Sequence, residues 1–249
     1  MKKFIYTLIW LVTAFCLIIS CTSNKESKLL SQSVISHVKE NLEMKTIKDL
    51  SQQFTSDDNW FEVGGHMEQV ESIGYMKSDS EEIAEAWYKY NQTLSSSKDF
   101  IISAEVKVPK HWDKSGKADG QVGIGLFVGK RGDEGQLVFE CDLCVINEGM
   151  RFVQGQMIKN RKGGEPVAVE MKEVNDESGV IEILYKADDN SLTLIFNDQV
   201  ISTQKIDGNG PVNLEVAEGD EFVVGFMGFS EWIKIESDSP SLQSVTISN

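Results

Sequence analysis

One stretch limits the fold more than any other. Val180 to Ile206 reads V-I-E-I-L-Y-K-A-D-D-N-S-L-T-L-I-F-N-D-Q-V-I-S-T-Q-K-I. Ile181, Ile183, Tyr185 and Ala187 alternate with Glu182, Leu184 and Lys186, which is the period of a half-buried strand. Asp188-Asp189-Asn190 then reads as a turn, because short Asx side chains hydrogen-bond their own backbone and tolerate positive φ. Leu192, Leu194 and Phe196 alternate with Thr193 and Ile195. Asn197-Asp198 makes a second turn, and Val200-Ile201 opens a third strand. A three-stranded meander with an apolar face is not stable alone. It needs a second sheet against that face, so the stretch predicts an antiparallel β-sandwich.

The rest of the chain after residue 57 has the same character. Trp60–Val63 reads as a short strand closed by Gly64-Gly65, Met67–Met76 as one strand and Ala86–Gln92 as another. Ile102, Ala104, Val106 and Val108 alternate with Ser103, Glu105 and Lys107 until Pro109 ends the strand. Lys110–Gly120 is a polar loop. Gln121–Gly129 is a glycine-rich strand with Val122, Ile124 and Leu126 on one face. Gln136–Ile146 and Met150–Met157 form a hairpin across Asn147-Glu148-Gly149. Further strands are predicted around Val167–Met171, Leu214–Val216, Phe222–Phe229 and Leu242–Ile247. About a dozen strands over about 190 residues suit one all-β sandwich of the jelly-roll kind.

Before residue 57 the pattern differs. Lys2 and Lys3 precede a nearly unbroken apolar run, Phe4–Ile19, and Ser20-Cys21 follows it. This is the plan of a secretory signal peptide, and the run is short of the about 20 residues of a membrane span. Leu17-Ile18-Ile19-Ser20-Cys21 resembles the bacterial lipobox. The resemblance implies cleavage before Cys21, a diacylglycerol on its thiol and an acylated amino terminus. Leu30, Val34, Ile35, Val38 and Leu42 share a helical face. That helix is either a stalk docking on the sandwich or a partner-recognition element. Thr46 and Asp49 resemble a capping box for a second short turn carrying Ile47, Leu50 and Phe54. The expected organisation is a signal peptide at 1–20, a lipid-anchored tether and amphipathic helix at 21–56, and the sandwich at 57–249. The protein is expected to be a bacterial lipoprotein facing the periplasm or the cell surface. Its net charge is −15, and loss of Lys2 and Lys3 with the leader takes it to −17. Such a charge disfavours nucleic acid and a polybasic hold on anionic lipid.

Four stretches together resemble the concanavalin A-like lectin/glucanase fold, including laminin G-like modules. They are D-F-I-I-S-A-E-V-K-V-P (99–109), G-Q-V-G-I-G-L-F-V (120–128), N-S-L-T-L-I-F-N-D-Q-V (190–200) and F-V-V-G-F-M-G-F-S (222–230). The resemblance covers roughly residues 58–249. It implies two curved antiparallel sheets whose concave face binds glycans in lectins and cleaves them in glucanases. Fold alone does not select among these. Laminarinase-type glucanases carry E-x-D-x-E or E-x-D-x-x-E, with two carboxylates about 5–5.5 Å apart as nucleophile and acid/base. Here the strand reads Glu140-Cys141-Asp142-Leu143-Cys144-Val145, so the second glutamate of the motif is absent. A non-catalytic carbohydrate-binding module is therefore the reading taken. A structural or protein-interaction module of the envelope is the alternative, and a glucanase-type hydrolase the weaker one.

Register selects the candidate site. Leu137, Phe139, Cys141, Leu143 and Val145 form an apolar face, so Glu140, Asp142 and Cys144 point the other way. Glu140 and Asp142 would accept sugar hydroxyl protons, and Gln154 or Gln156 on the next strand would donate and accept. Trp87 is the candidate aromatic plate, with Trp112 and Trp232 at the rim. Cys141 and Cys144 are expected to be separate thiols, because residues three apart in a strand lie about 10 Å apart on opposite faces, beyond the about 7 Å limit of a disulfide. Asp207-Gly208-Asn209-Gly210 has the composition of a calcium loop or of a glycine-rich turn, and the turn is preferred. Arg131-Gly132-Asp133 reads as an ordinary loop. No catalytic residue, cofactor or metal site is assigned.

Lipidation is open to direct test. Cys21→Ala is expected to abolish incorporation of labelled palmitate and to move the protein out of the membrane fraction; unchanged labelling would refute the assignment.

Overall fold

The computed structural model describes residues 35–56, 62–78, 83–110, 120–132, 137–146, 149–159, 166–206, 212–231 and 239–249. The signal peptide, Cys21, Trp60, Trp112, Trp232, Asp133 and the loop at Asp207–Gly210 lie outside these residues. The chain divides into two compact units, Met1–Asn41 and Leu42–Asn249. In the first, helix α1 (35–41) carries the later part of the predicted stripe, with Ile35 and Val38 buried. Leu42 falls just past its end.

The second unit is two antiparallel sheets. One runs in the order β15 (Gln199–Lys205), β14 (Ser191–Phe196), β13 (Ser178–Lys186), β8 (Phe100–Lys107), β17 (Ser241–Ser248), β5 (Ile73–Ser78) and β4 (Gly65–Val70), with β1 (Met44–Ile47) also on β17. The other runs β12 (Pro166–Val174), β11 (Arg151–Lys159), β10 (Leu137–Ile146), β9 (Gln121–Lys130), β16 (Glu221–Glu231), β6 (Ile83–Tyr90) and β2 (Phe54–Thr55). There β3 (Glu62–Val63) adds to β6 and β7 (Leu94–Ser95) to β16. The all-β antiparallel sandwich expected from the sequence is the observed architecture.

The alternation seen in the sequence builds the interior. Phe100, Ile102, Ala104 and Val106 of β8 and Ile181, Ile183 and Tyr185 of β13 face inward from the eight-stranded sheet. Val122, Ile124 and Leu126 of β9, Phe139, Cys141 and Leu143 of β10, and Phe222 and Phe226 of β16 face them from the nine-stranded sheet. Phe222 crosses the gap. Its ring centroid lies 5.3 Å from Phe100 and 4.7 Å from Tyr185, both edge-on. The Tyr185 hydroxyl donates to the Ser96 carbonyl at 2.9 Å, so the one polar atom of this aromatic group is satisfied.

The two turns of the meander form where Asx residues stand. Asn190 adopts φ +46°, and Asn197 and Asp198 adopt +48° and +59°. Two consecutive residues with positive φ make the primed hairpin turn whose twist matches the flanking strands. Asn197 Oδ1 also accepts from Val180 N at 2.9 Å, tying the turn to the start of β13.

Several boundaries differ from the sequence reading. Met67–Met76 is a hairpin, not one strand: β4 and β5 pair across a turn at Glu71, whose φ is +58°. No glycine or Asx residue marks that turn, so the sequence reads through it as one strand. Leu214–Val216 forms no strand. Asn213 Oδ1 caps Glu215 N at 2.9 Å and Glu215 takes φ +50°, while Leu214 is buried as a loop residue. Thr46 is not a helix cap: it lies in β1, and Asp49 caps the single turn α2 (Leu50–Gln53) by accepting from Gln52 N at 3.3 Å. The sheets take in strands from residue 44 onward, whereas the sequence reading begins the sandwich at 57. Part of the eight-stranded sheet is also closed on both faces. Ile101, Glu182, Leu184 and Ile195, which point away from the interior, are buried as well.

Phe222→Ala should lower stability by about 3–5 kcal/mol, the range for emptying a buried aromatic site. Val63→Ala, on a side chain that is 48% exposed, should stay within about 0.5 kcal/mol. Urea denaturation of both variants measures the contrast, and a small loss for Phe222→Ala would mean that the sheets do not depend on that ring.

Candidate ligand-binding face

The candidate residues sit on the face of the nine-stranded sheet that points away from the sandwich interior. Register assembles them in ranks across the strands. One rank reads Trp87, Met227, Gly125, Asp142, Gln154 and Met171 from β6 to β12. The next reads Lys89, Gly225, Phe127, Glu140 and Gln156. On the other side lie Glu85, Phe229, Gly123, Cys144, Phe152 and Glu173. Trp87, Glu140, Asp142, Gln154 and Gln156 therefore share one face. Trp112 and Trp232 belong to segments outside the described residues.

The glycines of this face have a steric reason. A Cβ on Gly123 would lie 2.4 Å from the Phe229 ring, and one on Gly225 would lie 2.5 Å from the Phe127 ring and 2.0 Å from the Tyr88 carbonyl. Each ring folds flat over the bare backbone of its neighbour, so the sheet gains aromatic cover where it lacks side chains. The sequence shows the glycines but not what lies over them, because the covering rings come from strands about a hundred residues away or more.

The centre of the face is closed. Trp87, Phe127, Val138, Cys144, Ile158, Met227 and Phe229 form an apolar cluster. Trp87 is 1% exposed, and its indole N–H donates to Glu85 Oε2 at 3.0 Å. It is a wall of this cluster, not the open plate that the sequence suggested. Within the same surface Asp142 is wholly buried and Glu140 and Gln154 nearly so. Gln154 Nε2 donates to both Asp142 oxygens, at 3.1 and 3.2 Å. The Cys144 thiol donates to Asp142 as well. Gln156, Phe152, Val223 and Lys89 keep partial exposure at the margin.

Electrostatics follow from burial. Loss of solvent pushes the Asp142 carboxyl up to about 8, against the pull of the hydrogen bonds from Gln154 and Cys144. Burial, then the neighbouring Asp142, likewise raises the Cys144 thiol. Cys141 faces the interior, and its thiol is raised by burial first and by Asp142 second. The two cysteines are free thiols on opposite faces of β10, as strand geometry requires. In the position where the glucanase motif carries its second glutamate, this face carries the Cys144 thiol. Among the described residues no group of three or more His, Cys, Asp or Glu could hold a metal ion.

The raised Asp142 value makes a prediction with a definite sign. The folded state keeps a proton that the unfolded chain releases near its ordinary value of 3.8, so stability is full below that pH and declines as pH rises toward 8. Asp142→Asn keeps an acceptor for Gln154 and removes the ionisation. It should match the parent at pH 4 and exceed it at pH 8 by about 1 kcal/mol or more. Urea denaturation at pH 4, 6 and 8 measures this; a variant weaker than the parent at pH 8 would show that the fold uses the ionised carboxylate.

No protein-family model matches the sequence, and no curated protein matches it significantly. Solved structures do. The CBM2 module of the evolved Dit of Lactobacillus casei BL23 phage J-1 is 12% identical, with a TM-score of 0.52 over 83% of this chain and 96% of that one. Lectin II from Ulex europaeus is 14% identical, with a TM-score of 0.50 over 83% of this chain and 98% of that one. The Emp47p carbohydrate recognition domain is 14% identical, with a TM-score of 0.50 over 80% and 98%. At these identities the likeness is one of fold, and it agrees with the concanavalin A-like jelly roll that the sequence resembles.

Proposed function

We propose that this protein is a lipid-anchored carbohydrate-binding module of a bacterial envelope, held by acyl chains on Cys21. On this reading it presents the outer face of its nine-stranded sheet to a glycan. The observation that carries the reading is the Glu140, Asp142 and Gln154 group. Burying a carboxyl costs stability, and an apolar residue of similar volume in its place is often neutral or better. A chain that keeps two carboxyls and an amide in the middle of an apolar face breaks a local packing rule, and such breaks concentrate at functional sites. Protonated Asp142 would donate, Gln154 and Gln156 would donate and accept, and the flanking rings offer the flat apolar surface that a sugar ring needs. Binding requires the closed centre to open from its exposed margin. The lipobox-like N-terminus and the lectin-like fold both support the placement.

A protein-contact role in the envelope is the second reading. The observation on its side is the closure of that centre, where Trp87 and Asp142 have almost no exposure.

A glycan array probed with the full chain in detergent micelles separates the two. Affinity for a bound glycan should fall roughly ten-fold in Glu140→Gln or Asp142→Asn, the scale of leaving one buried hydrogen-bonding group without its partner. Trp87→Ala should abolish binding. Unchanged affinity in all three folded variants would place the site elsewhere, and no glycan binding at all would favour the protein-contact role.

A further inference from the structure

The face of the eight-stranded sheet that points to solvent holds a groove of about 520 Å³ near β4, β5 and β17. Its volume falls in the range of small-ligand sites, about 300–1,000 Å³. Two ranks of side chains make its floor. Glu68, Tyr75, Ser241, Lys107 and Ser178 stand side by side across five strands. Val70, Ile73, Gln243 and Glu105 form the next rank.

Three features define what the groove would hold. First, Tyr75 is a partly exposed ring on a strand paired on both sides, so it is a rigid plate. Lys77 reaches over its ring, with Nζ 5.7 Å from the centroid, 3.7 Å from Glu68 and 3.3 Å from Ser239 Oγ. Secondly, the charges on the floor cancel: Glu68 and Glu105 stand against Lys77 and Lys107, in a chain whose net charge is −15. A balanced floor selects neither an anionic nor a cationic ligand. Thirdly, β5, β17 and β8 have their backbone ladders filled on both sides over these residues. Over these three strands the floor cannot capture a peptide by adding a strand, which is how extended peptides gain most of their affinity on sheets; the edge of the sheet lies at β4. A ligand lying across β5, β17 and β8 must be read by side chains alone: an aromatic ring flanked by acceptors, ammonium groups, hydroxyls and an amide.

We propose that this groove is a second ligand site, for a neutral oligosaccharide. Tyr75 lies under a sugar ring, and Glu105, Gln243 and Lys107 hydrogen-bond its hydroxyls. The site stands on its own residues and shares none with the Asp142 face.

The test uses the full chain in detergent micelles and four neutral hexasaccharides, built of β-1,4-glucose, β-1,3-glucose, β-1,4-mannose and β-1,4-N-acetylglucosamine. Lysine acetylation read by mass spectrometry reports occupancy. At least one hexasaccharide should protect Lys77 and Lys107 several-fold while leaving Lys98 and Lys205 unchanged. In titrations, Tyr75→Ala should weaken that ligand at least ten-fold. Tyr75→Phe should retain it, Gln243→Ala should weaken it several-fold, and Asp142→Asn should leave it unaltered. Gln243 is an exposed residue, so its variant keeps the test valid if Tyr75→Ala misfolds. Affinity lost in Asp142→Asn but kept in Tyr75→Ala and Gln243→Ala would overturn this proposal and leave the Asp142 face as the glycan site. Protection of Lys77 and Lys107 by a peptide digest and by none of the hexasaccharides would overturn it in favour of a protein partner.

Discussion

The interaction on which the structure depends is the removal of water from between the two sheets. Neither sheet can keep its inward face exposed, and Phe222, Phe100 and Tyr185 meet across the gap to close it. Apolar burial is worth about 25 cal/mol per Å², so a row of rings and branched side chains outweighs any surface ion pair. Once the inward faces are committed, strand alternation settles every other orientation. Glu140, Asp142 and Cys144 turn outward because Phe139, Cys141 and Leu143 turn inward.

The outward faces then behave in two different ways. On the nine-stranded sheet, the rings of Phe127 and Phe229 lie over glycine backbone and the centre dries out. A carboxyl caught there is held neutral by burial, and Gln154 supplies it with hydrogen bonds on both oxygens. On the solvent side of the eight-stranded sheet, near β4 and β5, charged and hydroxyl side chains remain in contact with water around Tyr75. The same pleat thus produces a buried polar group on one side of the sandwich and an open groove on the other. The difference lies in which neighbours are bulky.

How much of this could be read in advance depends on sequence distance. The meander from Val180 to Ile206 was legible because its turns are local: Asn190, Asn197 and Asp198 take positive φ for reasons contained in their own side chains. The Asp142–Gln154 contact was also within reach, since a hairpin pairs residues by counting from its turn. The β4–β5 turn was missed, because Glu71 has positive φ without any glycine or Asx residue to signal it. The sequence reading makes Trp87 an open aromatic plate, whereas the structure leaves it 1% exposed. Alternation gives the side of a sheet, while exposure depends on Phe127, Met227 and the other neighbours that meet it from distant strands.

The sequence by itself determined the class of fold, the two faces of each strand and the separation of Cys141 from Cys144. These follow from a period of two and from turn chemistry, both of which act over a few residues. Tertiary structure alone decided that β9 lies beside β16, that Phe229 covers Gly123, and that Tyr75, Lys107 and Gln243 share one groove. Such neighbours are set by which sheets exclude water together, a property of the whole folded chain that no local pattern contains.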